Sequence, residues 1–189
     1  KGGRYPVGRH LELDRPGAFE KRVEWRSHFT PPMPAEYLSE EAEQFWRYIK
    51  SSLSDLLDLV AGQDDEVIRW RPPARDANSI IILARHTLAN AGVNILHTLG
   101  GLEYNYDREA NFGEDISRDE VLATWKPLCE RLEAVMCTLP QERIDGPVPH
   151  HWRGEIPGRE VLIIVARHTA EHLAHARLTA DLAAVALGR

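Results

Sequence analysis

The chain has 189 residues, 43% apolar and 28% charged, which suits one domain-sized core and leaves little for a second. Its formal net charge of -6, with no lysine-rich tail or basic run, gives no support for a nucleic-acid surface. Its longest apolar runs fall far short of a bilayer span, so a membrane partner is not expected either.

The opening KGGRYPVGRH carries no apolar core of the signal type. Cys129 and Cys137 stand eight residues apart in one predicted helix, too far along it for a disulfide. A cytoplasmic location is the expectation. Residues 1 to 34 have no helical period and are interrupted by Pro6, Pro16, Pro31, Pro32 and Pro34. Tyr5, Phe19, Trp25 and Phe29 suggest an irregular N-terminal arm that packs on the bundle of residues 35 to 189 or on a partner subunit.

The first helix is predicted from about Ala35 to Ala61, with Phe45, Ile49, Leu53, Leu56, Leu57 and Val60 as its apolar stripe. Gly62 is its expected stop. QDDEVIRWRPPARDAN then reads as a polar loop anchored by Trp70. The second helix is predicted from Asn78 or Ser79 to Leu99, ended by Gly100 and Gly101. Gly92 inside it suggests close approach of another element. A connection of about seventeen residues follows, GGLEYNYDREANFGEDI, long enough to cross one end of a bundle and to lay Tyr104, Tyr106 and Phe112 over the core.

The third helix is predicted to open at Ser117, where Ser117 and Glu120 have capping-box spacing, and to end near Leu139. Pro127 is expected to kink it. QERIDGPVPHHWRGEIPGRE reads as a loop with no convincing strand. The fourth helix is predicted from Pro157 or Gly158 to Ala186, and its VLIIVA run suits a central, buried position. Four long helices without strands define an all-α four-helix bundle with a long crossover between helices two and three.

The fourth helix contains VARHTAEHLAHARLTAD, in which His168 and His172 lie four residues apart on one helix face. Two imidazoles at that spacing can share a metal if a third ligand comes from another helix. His86, mid-helix in SIIILARHTLANAGVNILH, is the candidate. Three neutral imidazoles with one open position describe a catalytic-type centre. Zinc is the expected ion and nickel the second choice, although cobalt or iron would also accept imidazole. His175, one turn beyond, could replace a triad member, bind substrate or carry a proton. Glu171 is either a hydrogen-bonding partner of a ligand or a surface ion-pair residue. His97, eleven residues beyond His86, lies about 16 Å farther along the helix and cannot share its metal. His150 and His151 are expected to be an exposed pair near Trp152.

The NSIIILARH, ILHTLGG, YDREANF and RHTAEHLAHARLTADL stretches together resemble the DinB-like superfamily of bacterial four-helix-bundle metalloproteins. The resemblance covers about Ala35 to Leu187 and carries the family's metal-binding histidines onto His86, His168 and His172. Where the family commonly continues with Leu-Gly-His after its last ligand, this chain has Leu173-Ala174-His175. Relatives include thiol-dependent transferases and mycothiol-dependent isomerases, in which the metal activates a low-molecular-weight thiol. The resemblance therefore implies a divalent-metal-dependent enzyme acting on a small-molecule substrate by thiol transfer, with His175 or Glu171 moving a proton. Hydrolysis by a metal-activated water is an alternative, as is a non-catalytic metal-stabilised binding bundle. A dimerising structural protein, a homodimer through the arm and an exposed helix face, is a third expectation.

Overall fold

A computed structural model of the chain describes residues 36–107, 112 and 116–189. The arm expected over residues 1–34 lies outside them. In chain order the elements are α1 (Glu40–Gly62), α2 (Asp65–Arg69), α3 (Ile80–Ala91) with a π-helical continuation (Gly92–Leu99), α4 (Arg118–Thr138), α5 (Gln141–Asp145), β1 (Pro147–His150), β2 (Gly154–Pro157) and α6 (Gly158–Ala186). The four long helices form the bundle.

The helix starts have local causes. α1 opens where the Ser39 hydroxyl accepts from the Ala42 amide at 3.2 Å, with Glu40, Glu41 and Glu43 in the first turn opposite the amide end of the helix dipole. Trp46 replaces the half-buried Phe45 in the buried stripe completed by Ile49, Leu53, Leu56, Leu57 and Val60. At α4 the capping box is complete. The Glu120 amide donates to Ser117 Oγ at 3.1 Å, and the Ser117 amide donates to the Glu120 carboxylate at 2.8 Å. α4 continues through Pro127, whose exposed position lets water reach the backbone carbonyl that the proline leaves unpaired.

The π-helical segment accommodates a close approach. Tyr104 packs so tightly on Gly92 that a Cβ there would lie inside van der Waals contact of the phenol ring. The segment stops at Gly101, in the left-handed region with φ +67°, where the Gly100 amide bonds the Ile95 carbonyl and the Leu102 amide bonds that of Leu96, each at 2.9 Å.

Polar contacts fix the helix directions. The N-terminus of α1 meets the C-terminus of α4 through Leu38 N–H and Cys137 O at 3.0 Å. At the far end, Arg118 of α4 reaches the Gln63 carbonyl at 2.6 Å, so α1 and α4 are antiparallel. Glu41 pairs with Arg159 and Asp55 with Arg177, so α1 and α6 run parallel. Arg143 of α5, whose backbone packs against Gly158 at the start of α6, reaches the Thr98 carbonyl at 3.1 Å, while His86 meets His168, so α3 opposes α6. The order is up-down-down-up. Two consecutive helices running the same way require a connection as long as the bundle, which explains the segment between Gly100 and Ser117.

The core lies between the four helices and includes Trp46, Leu53, Ile80, Leu83, Ile95, Leu96, Leu132, Met136, Leu162 and Val165, each at most 1% exposed. No helix among the described residues is long and apolar enough to cross a membrane.

The stretch expected to be a loop before the last helix holds α5 and an antiparallel hairpin. In that hairpin Pro147 faces Pro157, Val148 faces Ile156 and His150 faces Gly154. Strands of four residues with three prolines between them carry no alternating apolar pattern, so periodicity could not reveal them. The hairpin packs on the π-helical segment, and only Val148 and His150 are buried in it.

Candidate metal centre

α3 carries His86 in its second turn, and α6 carries His168 and His172 on the face turned to it. His86 Nε2 lies 3.0 Å from His168 Nε2, and His172 Nε2 lies 3.1 Å from the same atom. The three donor nitrogens fall within 4.8 Å of one another, an arrangement that could hold a metal ion, and no other such group occurs among the described residues. Ring planes cross at 62°, 75° and 89°, so the nitrogens converge and the rings do not stack. In a tetrahedral centre with metal–nitrogen bonds of about 2.0–2.1 Å, ligand nitrogens stand roughly 3.3 Å apart. The two observed separations lie close to that value.

The donor set suits a cation for a second reason. Each imidazole nitrogen offers one in-plane site, either a proton or a lone pair. His168 Nε2 is within hydrogen-bonding distance of two other imidazole nitrogens, and one proton cannot satisfy both contacts. A cation at the centre can accept a lone pair from all three rings. Burial, first of all, and then the neighbouring imidazoles and Arg167 pull the His168 pKa down to about 3. Burial also lowers that of His172, with His175 acting the same way and Glu171 opposing. Both rings are therefore neutral near pH 7, the form a metal requires. His168 Nδ1 is buried and has no hydrogen-bond partner among the described residues.

The centre is not sealed by the core. All three histidines are only half-buried. The Phe112 ring lies 4.6 Å from that of His86. Phe112 also lines an open cleft of about 840 Å³ with Arg71, Pro72, Ala77 and Asn78. Arg71 donates to the Asn78 side chain at 3.3 Å across this loop, and Asp76 in it adopts φ 63°, a conformation that aspartate tolerates better than most residues. The sequence places Phe112 over the core but carries no signal for its contact with His86 or for the cleft. Both depend on how the long crossover meets the loop after α2, for which no local pattern exists.

His175 is exposed, and its ring lies parallel to that of His172 at 6.5 Å, outside the triad. Glu171 is also exposed and pairs with Arg167 one turn earlier at 3.3 Å. His97 projects from the π-helical continuation of α3, at the end away from His86, and the triad does not include it. The expected exposed pair divides, since His150 is buried beneath the hairpin turn and His151 is exposed. Cys137 is buried and Cys129 half-buried; both are free thiols whose pKa burial raises.

The family model of the DinB superfamily matches residues 48–176, about two thirds of the chain, a span that includes all three convergent histidines. A comparison with curated proteins found no match.

Proposed function

The chain belongs to the DinB superfamily, and on that premise we propose that it is a divalent-metal-dependent enzyme acting on a small molecule by thiol transfer. The observation that carries this reading is the convergence of His86, His168 and His172 next to an open cleft. The three imidazoles hold the ion, with zinc first and nickel second, because both accept neutral nitrogen donors in this number. When bound, such an ion lowers the pKa of a coordinated thiol towards neutrality and so supplies a nucleophile at physiological pH.

The chain's own groups do the rest. α3 and α6 fix the donor positions, so little reorganisation accompanies binding. Phe112 and the loop from Arg71 to Asn78 enclose one side of the small-molecule substrate and limit water there. His175 has no resolved place among the ligands. From its exposed position beside His172 it takes the proton released by the incoming thiol. Glu171 stays tied to Arg167 at the surface beside the ligand His172.

Metal analysis of untagged protein tests the centre. One ion per chain is expected, falling to below about a tenth in His86→Ala and in His168→Ala. Unchanged content in both variants would refute the site. A thiol-transfer assay on a model electrophile, with several low-molecular-weight thiols, then tests the reaction. Turnover that EDTA abolishes and zinc or nickel restores is expected, and a metal-loaded protein inert with every thiol would refute it.

A further inference from the structure

The outward face of α6 is apolar where a surface helix is ordinarily polar. Seven large apolar side chains are exposed among the described residues, and four of them stand on this one helix. They are Ile163, Leu178, Leu182 and Val185, at 50%, 56%, 44% and 79% exposure. Scattered singly, such residues need no explanation, but a contiguous apolar strip marks a contact surface. The spacing makes them contiguous. Ile163, Ala174 and Val185 follow one another at eleven residues, or three turns of about 3.67 residues each, so they form a line nearly parallel to the helix axis. Arg167, Ala170, Leu178 and Asp181 fall within about 40° of that line, and all seven residues are exposed. The buried Val165, Thr169, Ala176 and Ala183 occupy the opposite side of the helix.

The strip is complementary to itself about Ala174. Four residues to either side stand Ala170 and Leu178, seven to either side Arg167 and Asp181, and eleven to either side Ile163 and Val185. An antiparallel copy of α6 with its two-fold axis at Ala174 therefore sets a small side chain against a large one, a cation against an anion, and apolar ends against each other. Alanine meets alanine where the two axes come closest. A parallel copy in register would instead set Arg167 on Arg167 and Asp181 on Asp181. Within one chain these two residues stand about 21 Å apart along the helix and cannot pair. Arg167 holds Glu171 at 3.3 Å, and its five N–H groups leave donors for a second carboxylate. Asp181 has no ion-pair partner among the described residues.

We propose that the outward face of α6 is a dimerisation surface whose partner is a second copy of this chain, packed antiparallel about a two-fold axis at Ala174. The strip is about 33 Å long, and one helix from each chain makes a small interface, so the association is reversible and depends on concentration. His168 and His172 project from the side of α6 turned to α3, away from the strip, so the triad and its cleft are as open in the dimer as in the monomer.

Sedimentation of the full chain across micromolar to millimolar concentrations tests this, and a monomer–dimer equilibrium is expected. Leu178→Glu, Asp181→Arg and Arg167→Asp, each checked for its helical content by circular dichroism, are expected to weaken the dimer at least about tenfold by placing charge on the strip or like charges opposite each other. The double variant Arg167→Asp with Asp181→Arg is expected to restore it, because the swap re-forms the pair across the two-fold axis and nowhere else. Ala174→Cys is expected to give a disulfide-linked dimer under mild oxidation, since the axis brings that position against its own copy. A chain that is monomeric at every concentration overturns the proposal, and this includes the case in which residues preceding Glu36 cover the face. A dimer undiminished in both Leu178→Glu and Asp181→Arg overturns it by placing the contact on another face. A dimer that each charge change weakens and the swap fails to restore overturns the antiparallel register. If Leu178→Glu fails to fold, the charge variants at the fully surface-facing positions 167 and 181 decide the outcome alone.

Discussion

His168 Nε2 sits between two other imidazoles, and that single atom ties α3 to α6 at the candidate centre. His175 stands one ring away, outside the convergent set. Its proposed role in moving a proton makes a distinct prediction: His175→Ala keeps its metal but loses roughly a hundredfold in kcat, the lower end of what a positioned acid–base group supplies. Parallel metal analysis and steady-state kinetics check this, and loss of the metal would place His175 among the ligands. At Gly92 the limit is steric. Gly92→Ala drives a methyl group into the Tyr104 ring and is expected to cost about 1–3 kcal/mol of stability. Chemical denaturation of Gly92→Ala, Tyr104→Leu and the double variant measures it. A double variant less destabilised than the sum of its parts would locate the strain between those two residues.

Among the elements, the junction of α1, α5 and α6 depends most on charge. Arg159 of α6 donates to both Glu41 oxygens at 2.6 and 2.7 Å, and Gln141 of α5 donates to the same carboxylate at 2.9 Å. The Arg159 bonds first, and those of Gln141 next, hold the Glu41 carboxyl down at about 2 against the opposing effect of burial. A carboxyl with a folded-state pKa below its unfolded value binds more protons when unfolded, so its stabilisation is complete above pH 4.5 and is lost as pH falls towards 2. Glu41→Gln is therefore expected to lower the melting temperature at pH 7 and to flatten its fall between pH 4.5 and 2. Thermal melts of both proteins across that range check it, and parallel curves would show that the junction does not titrate. The capping box at Ser117 is a second local device of this kind. It sets where α4 begins after the long crossover.

For the whole molecule, the triad joins two helices whose ligands are 82 residues apart in sequence. An ion held there binds the folded chain and finds no comparable set of donors in the unfolded one. Zinc at a hundred times its dissociation constant is expected to stabilise the fold by about 2.7 kcal/mol. Differential scanning with and without EDTA reads this as a melting-temperature shift, which is expected to vanish in His168→Ala. A shift retained by that variant would place the stabilising ion elsewhere.

Much of this arrangement is present in local sequence. An i, i+4 spacing puts His168 and His172 on one face of any helix, the order Ser117 to Glu120 specifies a helix start, and Gly100-Gly101 specifies a stop. The 3.6-residue period of Ile49, Leu53, Leu56 and Val60 marks a buried face, because burial of that face is what makes the helix stable. The hairpin of Pro147 to Pro157 lacks any such period, and short paired strands draw their stability from the surface beneath them. Likewise, the meeting of Phe112 with His86, the division of His150 and His151 between interior and surface, and the place of His175 outside the triad are relations between segments distant in the chain or set by packing. Local propensity determined the helices and which histidines share a face. Only tertiary packing decided which nitrogens converge, because convergence depends on the up-down-down-up order and on the long crossover that order requires.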